Sequence, residues 1–566
     1  MLLAVVPVLP TLRASFIYDD TTIIRDNATL RGWGSLARVW TSSYWPADGG
    51  PDRLGLYRPF HVGLLAGIWN AFHGAALAFH LYAIALAAIS CLGVWWLLRR
   101  GVGVLPAFVA AAWFATHPLH VEAVASVANT SELLVLLATL AMVRLMRADD
   151  APASVATGRA VQPLLIALLA AAALASKESG LLALPVAALA AWGWRSPARD
   201  RRSALTLART NSRAIVAGIV AIAAVLAARS AVLGTPVAPS SIAAQGIDGM
   251  PASQRMQAML SLWPRLSGMI GWPRGLAPYY GPGVFPSHRL ALALLTLLVA
   301  GAVAVIATII ARRGDRRPLV ALGWMALTYL PASNLLTPTG QVISDRTLFG
   351  ATVGATLGIA WLLDRLPRPG RAALIALVTV AISRDVVVSA RYSIAWTSHR
   401  ALWSRLVEAE PGEHLGYKLL GMDARARGDS ARAIRLLTRA MAMAPSDRQA
   451  RFELGQALYA AARFGEASDA FEPLMHDADA RSEPNLVALY LDAVGRSAGA
   501  RAVTVSAAPL MRAPSARVAA LYAGVAFEQL GERTAADSAY AAGLRAAPGD
   551  TALDARMTAL RARPHR

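Results

Sequence analysis

The chain has 566 residues, of which 56% are hydrophobic and 16% charged, so it is too apolar for an ordinary soluble protein and long enough for two units. Its formal net charge of +20 would suit nucleic acid, but the basic residues fall in short clusters between apolar runs. That pattern is typical of the inner loops of membrane proteins. Composition and charge therefore predict a polytopic membrane protein and exclude nucleic acid as a partner.

The apolar runs predict about eleven membrane spans. The first, in residues 1–16, is short for a span of about 20 residues. We favour a first transmembrane helix over a signal peptide, because Tyr and Asp follow it rather than small residues. The ten later runs lie at about 77–98, 104–119, 124–146, 162–176, 180–194, 214–233, 289–311, 318–336, 347–363 and 372–389.

The charges of the connections between these runs predict their orientation. Every second connection is basic, and by the positive-inside rule these are the inner loops. The other connections then face outward, unless 256–273 also crosses and reverses every later orientation. Lys177 and Lys418 are the only lysines, and this bias towards Arg and Ala favours a high-GC bacterial origin. The basic residues are Arg99, Arg100, Arg144, Arg147, Arg195, Arg199, Arg201, Arg202, Arg209, Arg213, Arg312, Arg313, Arg316, Arg317, Arg365, Arg368 and Arg371.

Beyond about residue 391 the composition changes to that of a soluble helical region with an internal repeat. Pro411 and Pro445 are 34 residues apart, as are Gly421 and Gly455. This is the tetratricopeptide period, in which Gly and Ala let two helices pack closely and Pro ends the second. The period recurs near the end of the chain and is weak across 480–513. An odd number of spans from an inner N-terminus predicts that the repeats lie outside.

The adjacent carboxylates Asp19 and Asp20 follow the first apolar segment, on the predicted outer face. A carboxylate within hydrogen-bond reach of a hydroxyl can act as a general base or position the nucleophile. Alternatively, one Asp caps a helix at the interface. Both interpretations are open from the pair alone.

A second outer connection carries two imidazoles and a carboxylate. His117 and His120 have a spacing that suits metal ligands, with Glu122 as a third. Pro118 would disturb a regular helix between them, so we favour substrate positioning or local structure over a divalent metal. Ionisable groups at the ends of spans are costly to place there, which supports a function for this connection.

Three outer cations are candidates for binding phosphate. Lys177 is a compact charge suited to it, and the adjacent Glu178 would orient the amine or form a surface ion pair with it. Arg346 would hold a phosphate in a forked geometry, while Asp345 balances its charge or positions substrate. Arg58 is a possible further cation in Tyr57-Arg58-Pro59-Phe60, which otherwise anchors a surface helix.

In this order, the motifs resemble those of the transmembrane and tetratricopeptide repeat-containing O-mannosyltransferases, which belong to the glycosyltransferase C superfamily. The resemblance covers nearly the whole chain, and the run from His117 to Leu134 is its most specific part. The motifs that carry it are Phe16–Asp20, Tyr57-Arg58-Pro59, His117–Glu122, Ser131-Glu132-Leu133-Leu134, Ser176-Lys177-Glu178 and Asp345-Arg346.

The resemblance implies an all-α fold of the glycosyltransferase C type, with a helix bundle at 1–390 as the transferase domain and a repeat α-solenoid at 391–566. It implies a polyprenyl-phosphate-linked sugar as donor, and protein Ser or Thr hydroxyls as acceptor. Asp19 or Asp20 would be the catalytic base, and Lys177 and Arg346 would meet the lipid phosphate. For a bacterial relative, this places the chain in the inner membrane, with the site and repeats in the periplasm.

Two other classes of function compete with this one. In a repeat-bearing membrane scaffold, the spans anchor the repeats and the outer polar residues only cap helices. A transporter would carry its ionisable residues near mid-membrane at broken helices, whereas these cluster at one face. Convergence of Asp19, Glu122, Lys177 and Arg346 around one cavity would favour the enzyme.

Overall fold

The computed structural model describes residues 1–45, 55–146, 157–195, 204–235, 246–512 and 514–562. Every regular element in these ranges is helical, as the all-α prediction requires. The chain forms two compact units, Met1–Glu410 and Pro411–Arg566, and each is described by itself. Four of the predicted inner-loop residues, Arg147, Arg199, Arg201 and Arg202, lie outside the described residues.

The first unit begins with a short apolar helix, Leu2–Arg13. Its longer α-helices are numbered in chain order from Pro59 onward. They are α1 (Pro59–Phe72), α2 (Ala76–Gly101), α3 (Val104–Thr116), α4 (Ser131–Leu145), α5 (Thr157–Ser176), α6 (Ala183–Gly193), α7 (Ser212–Leu233), α8 (Ala252–Ser261), α9 (Trp263–Gly271), α10 (Arg289–Arg312), α11 (Arg317–Tyr329), α12 (Phe349–Arg365), α13 (Arg368–Ala395) and α14 (His399–Ala409).

Within the described ranges, six helices are long and apolar enough to cross a membrane, or seven if α3 and Pro118–Ala125 form one span with a 50° bend. Three shorter apolar helices accompany them. Each of the ten later predicted runs contains a helix, but the count of about eleven exceeds the number of long helices. One reason is that the chain breaks at His117 and Lys177, where the backbone is extended. The chain is a multi-pass membrane protein.

The connection at 256–273 is not one long helix. It contains α8 and α9, of 10 and 9 residues, and neither alone approaches the about 20 residues that a span needs. By contrast, α10 is apolar on nearly all sides and exposes Leu294, Leu298 and Ile306. Exposed apolar side chains around a long helix are typical of a surface that faces lipid.

Small residues bring the inner helices of this unit together. At Gly354 on α12, an added Cβ would lie 2.6 Å from the carbonyl oxygen of Ala321 on α11. Such close backbone approach is how helices pack where burying apolar surface gives no advantage over lipid. The packing holds the helix ends that carry the polar connections, and so fixes the positions of the candidate site residues.

The second unit is a series of antiparallel helices with a regular packing contact. Its α-helices of eight or more residues are α15 (His414–Ala426), α16 (Ser430–Met443), α17 (Arg448–Ala460), α18 (Phe464–Phe471), α19 (Pro484–Ala498), α20 (Ala500–Ala507), α21 (Ala516–Gln529), α22 (Arg533–Ala546) and α23 (Thr551–Ala562).

Glycines at equivalent positions allow the paired helices to touch. A Cβ at Gly455 would lie 2.3 Å from the ring of Phe471, and one at Gly524 would lie 2.2 Å from the ring of Tyr540. At Gly421 the nearest atom would be Cγ of Leu437, at 2.6 Å. In each pair the large residue follows the glycine by the same interval, so the sequence period is also a period in packing.

We expect Gly455→Ala to destabilise the second unit by about 1–3 kcal/mol, because the added methyl group must displace the buried ring of Phe471. Amide hydrogen exchange of the full chain should then speed up in α17 and α18. Gly465→Ala is the matched control, since its nearest contact would be an ordinary 3.9 Å to Ser497. Equal exchange in the two variants would contradict the packing role of Gly455.

Candidate active site

The two acidic residues lie on a tight turn that orients them differently. Tyr18 has a positive φ of 53°, a conformation that is strained for a bulky side chain. Its backbone N–H donates to Nε2 of His399 at 3.3 Å, and its ring packs edge-on against Trp396 and Trp403. These contacts, from α14 and the residues just before it, hold the strained turn in place.

Asp20 faces the protein interior and caps a helical segment. Its carboxylate accepts hydrogen bonds from Oγ of Ser126 at 3.2 Å and from the backbone N–H groups of Val127 and Ala128 at 2.9 and 2.8 Å. Accepting these otherwise unpaired donors is what a helix N-cap does. Burial raises the pKa of Asp20 to about 7, although the three hydrogen bonds oppose that rise. The carboxylate is fully occupied by protein.

Asp19 is partly exposed and does not share the hydrogen-bond partners of Asp20. Within the described parts of the chain its carboxylate makes no hydrogen bond or ion pair, yet it interacts electrostatically with Arg346, Glu122 and Arg58. Burial raises its pKa, Arg346 and Arg58 oppose the rise, and Glu122 adds to it. The Asp19 carboxylate therefore lies near other charged groups but is not neutralised by a hydrogen bond or ion pair within the described chain.

Arg346 and Arg58 act on Asp19, Lys177 interacts with both arginines, and each of the three cations is paired with a different carboxylate. Arg346 contacts Glu122 through its guanidinium group, and its backbone N–H donates to the same carboxylate at 2.9 Å. Lys177 lies 2.5 Å from the carboxylate of Glu132. The third pair is Arg58 with Glu178, described next.

Arg58 lies 2.7 Å from Glu178 and stacks over the ring of Tyr44, with its guanidinium carbon 4.6 Å from the ring centroid. A fourth cation, Arg229 on α7, lies 3.8 Å from the same Glu178. This pairing accounts for Glu178, which points to Arg58 rather than to its neighbour Lys177. Cation–π stacking and a carboxylate together fix the guanidinium group in one orientation.

The three pairs form one electrostatic cluster. The pKa of Lys177 is lowered first by burial and further by the positive charges of Arg58 and Arg346, while Glu132 opposes that shift. Like charges held this close are costly unless something negative comes between them. The cluster joins four of the connections singled out in the sequence, those of Asp19, Glu122, Lys177 and Arg346, together with Arg58.

The remaining predicted residues lie in the packed surroundings of the cluster. Asp345 is fully buried and accepts hydrogen bonds from the hydroxyls of Tyr280 and Tyr392, at 2.6 and 2.9 Å. It anchors the segment that carries Arg346.

The two histidines are used by the fold. His117 contacts the carbonyl oxygen of Ile270 through Nε2 at 2.8 Å, and its Nδ1 accepts from the N–H of Leu119. Nε2 of His120 lies 2.8 Å from the hydroxyl of Thr352. The described residues contain no group of three or more His, Cys, Asp or Glu side chains arranged to hold a metal ion.

Several members of the cluster were not singled out as site residues by the sequence. Glu132 had a signal, because it lies in the motif Ser131-Glu132-Leu133-Leu134. Tyr44 and Arg229 had none, since nothing in their neighbourhood marks them among the other tyrosines and arginines. Their roles follow only from contacts that join distant parts of the chain.

Comparison with known proteins supports the resemblance. A tetratricopeptide repeat family model matches residues 424–490. The chain is 27% identical to Protein O-mannosyl-transferase Tmtc3 of Drosophila melanogaster over 35% of its own length and 22% of that protein. It is 34% identical to Tmtc2 of the same fly over 33% of the chain and 20% of the relative. It is 22% identical to Protein O-mannosyl-transferase TMTC3 of Mus musculus over 62% of the chain and 40% of that relative.

These matches cover less than half of each relative's length. The relatives are all named protein O-mannosyl-transferases, and the family model places a tetratricopeptide repeat at 424–490. The predicted resemblance is confirmed: this chain is similar to the tetratricopeptide-repeat protein O-mannosyl-transferases.

Proposed function

We propose that this chain is a membrane glycosyltransferase. It transfers a sugar, mannose or a similar one, from a polyprenyl-phosphate donor to a hydroxyl group of an acceptor, with protein Ser or Thr as the acceptor. The observation that carries the proposal is the carboxylate of Asp19, which has no hydrogen-bond or ion-pair partner in the described chain and interacts electrostatically with Arg58 and Arg346. Lys177 in turn interacts with both of these arginines. The names of the relatives support the same reaction class.

In this proposal Asp19 is the base. Asp20 is occupied by three hydrogen bonds, whereas Asp19 is partly exposed and has no such partner in the described chain. Asp19 takes the proton of the acceptor hydroxyl as that oxygen attacks the anomeric carbon. The bond from that carbon to the phosphate oxygen breaks, and the configuration inverts in a single displacement.

The cations bind the phosphate that leaves. Charge develops on the departing lipid phosphate, and fixed positive groups stabilise it without reorganising. Glu122, Glu132 and Glu178 keep Arg346, Lys177 and Arg58 in place before the donor binds. The segments around the site are held in place by the buried hydrogen bonds of His117, His120 and Asp345.

The repeats recruit the acceptor protein, because stacked helix pairs provide an extended surface for a peptide. In keeping with the basic inner connections, the site faces the outer side of a bacterial inner membrane. A membrane scaffold accounts for Asp20 as a helix cap. It gives no reason for a partly buried Asp19 that lies near Arg58 and Arg346 and has no hydrogen-bond or ion-pair partner among the described residues.

The test is to incubate the purified full-length protein with a panel of polyprenyl-phosphate sugars and Ser- or Thr-containing peptides. We expect transfer, or slow hydrolysis without an acceptor, for at least one donor. Replacing Asp19 and Asp20 together with Asn should abolish the reaction. Turnover at the wild-type rate in that double variant would overturn the proposal.

The pH dependence of transfer provides a separate check. A base must be ionised to accept a proton, and burial raises the pKa of Asp19 above its ordinary value near 3.9. The acid limb of kcat/KM should therefore lie above about pH 4, with the rate rising as pH increases through it. A rate that stays constant from about pH 4 to pH 7 would contradict a raised pKa at the base.

A further inference from the structure

Helix α2 ends in a cation that lies far from the candidate active site. In its first turn Phe79 packs edge-on against the ring of Phe16, three residues before Asp19. The helix has 26 residues and so spans about 39 Å, more than the hydrocarbon core of a bilayer. Arg100, in its last turn, therefore lies at the opposite end of the bundle, which the basic connections predict to be the inner one.

The packing of α2 against α4 brings a second cation to this end. A Cβ added at Gly93 on α2 would lie 2.7 Å from Cδ1 of Leu140 on α4, so the two helices touch closely. Arg144 follows Leu140 by one turn and lies in the last turn of α4. Its side chain is exposed, and its positive charge acts on Arg100.

Trp194 places a third cation beside the first two. It follows α6 directly and donates its indole N–H to the carbonyl oxygen of Leu97 on α2 at 2.9 Å. A Cβ at Gly101 would lie 2.7 Å from the Trp194 ring, so the end of α6 is held against the end of α2. The next residue is Arg195, whose charge also acts on Arg100. We call Arg100, Arg144 and Arg195 the inner arginine cluster.

A neighbouring arginine shows how the fold neutralises a cation that it uses for packing. Arg317 is buried and donates to the carbonyl oxygen of Gly101 at 2.9 Å. It also forms ion pairs with Asp315 and Asp364, at 2.8 and 2.6 Å. Both carboxylates near the end of α2 are therefore committed to Arg317, and neither acts on Arg100.

Arg100 and Arg144 are not neutralised in this way, since no carboxylate among the described residues pairs with them. Arg100 lies instead over the ring of Trp96, with its guanidinium carbon 5.1 Å from the ring centroid. Stacking on a ring orients the guanidinium group and leaves its N–H donors at the edge for an anion. Because like charges repel, an anion that binds between them is favoured. The cluster is therefore suited to phosphate.

An exposed apolar face of α2 leads to the cluster. Ile89, Leu92 and Trp96 precede Arg100 at intervals of three or four residues, which places all four on one side of the helix. Ile89 and Leu92 are 52% and 44% exposed. Acyl chains can pack along this face while a phosphate meets the cations. A free phosphate ion would use the cations alone, so the arrangement favours a lipid.

We propose that the inner arginine cluster binds the phosphate of an anionic phospholipid, whose acyl chains lie along the exposed face of α2. Guanidinium groups bind phosphate oxygens in a forked geometry, and basic pockets between membrane helices on the inner side are typical sites for acidic headgroups. The site lies at the other end of the bundle from Asp19 and takes a membrane lipid rather than the sugar donor. The inference is independent of the proposed function.

The test is native mass spectrometry of the full-length protein, released from detergent micelles that contain phosphatidylglycerol or phosphatidylcholine at equal concentration. We expect the wild-type protein to retain phosphatidylglycerol more tightly. The double variant Arg100→Gln, Arg144→Gln should bind it about tenfold more weakly, because each basic residue near an acidic headgroup contributes several-fold in affinity. Equal retention of the two lipids by the wild-type protein would overturn the proposal.

The double variant Arg312→Gln, Arg313→Gln is the matched control. These arginines lie at the end of α10, are exposed and belong to the predicted inner side, but neither acts on Arg100. The control removes the same charge from the chain and should retain phosphatidylglycerol like the wild-type protein. Equal losses in the two double variants would indicate a general effect of charge and would overturn the site.

Thermal unfolding in neutral detergent gives a second measurement, since a ligand that binds the folded state raises the melting temperature. Phosphatidylglycerol should raise it for the wild-type protein and the Arg312, Arg313 control, but not for Arg100→Gln, Arg144→Gln. Without lipid, all three proteins should melt at similar temperatures, which shows that each has folded. Inorganic phosphate should not displace the retained lipid, because it lacks acyl chains. Its displacement by inorganic phosphate would overturn the lipid assignment.

Discussion

Asp19→Asn is expected to lower kcat for sugar transfer by about 10²–10⁴-fold, the usual contribution of a positioned general base. The change removes the basic oxygen while keeping the size of the side chain. Because the Asp19 carboxylate makes no hydrogen bond or ion pair with the described residues, folding should be unaffected, and the melting temperature should stay within about 1–2 °C of the wild-type value. Steady-state kinetics with a polyprenyl-phosphate sugar measure the loss.

Asp20→Asn is the matched control and should behave in the opposite way. Its amide presents an NH₂ group to a site where Ser126, Val127 and Ala128 all donate, so at least one donor loses its partner. We expect a loss of about 1–3 kcal/mol in stability, with a smaller effect on kcat than Asp19→Asn. If Asp20→Asn abolishes turnover in a folded protein and Asp19→Asn does not, Asp20 is the base.

The sequence alone could not separate these two carboxylates. Their adjacency predicts that both lie at the same end of the first apolar segment, but their directions depend on the positive φ of Tyr18, which no local pattern predicts for a tyrosine. That conformation depends on His399, Trp396 and Trp403, almost four hundred residues away along the chain.

The helices and the repeats could be predicted more fully from the sequence. Apolar runs predict membrane helices because every backbone group in lipid must be paired within its own segment, which is a local requirement. The repeat period was equally local, since Gly421 and Gly455 face Leu437 and Phe471 at the same offset. Helix ends were harder to predict, because the breaks at His117 and Lys177 serve tertiary contacts.

For the charged residues too, the sequence predicts the local features but not the tertiary contacts. That Lys177 and Arg346 are cations on polar connections follows from the sequence, but their partners do not. Arg346 pairs with Glu122 across 224 residues, and Lys177 pairs with Glu132 rather than with its neighbour Glu178. Pairing is a property of the packed helices, so spacing along the chain gave the wrong partner for Lys177.

The Arg346–Glu122 pair allows stability and activity to be separated. Glu122 is fully buried and holds both the guanidinium group and the backbone N–H of Arg346. Glu122→Ala leaves the largely buried Arg346 without its carboxylate and with only the amide oxygen of Gln341 as a hydrogen-bond acceptor, and we expect the free energy of unfolding to fall by about 3 kcal/mol. Thermal unfolding of the purified protein measures the loss, and transfer should fall with it.

The double variant Glu122→Gln, Arg346→Met then separates the two effects. The glutamine oxygen can still accept the backbone N–H of residue 346, and the methionine removes the charge that needed a partner. Replacing a buried ion pair by uncharged groups is often close to neutral, so most of the lost stability should return. Transfer should remain strongly reduced, because the leaving phosphate has lost a fixed cation. A stable double variant with wild-type turnover would show that Arg346 serves the fold alone, and the donor phosphate would then depend on Lys177 and Arg58.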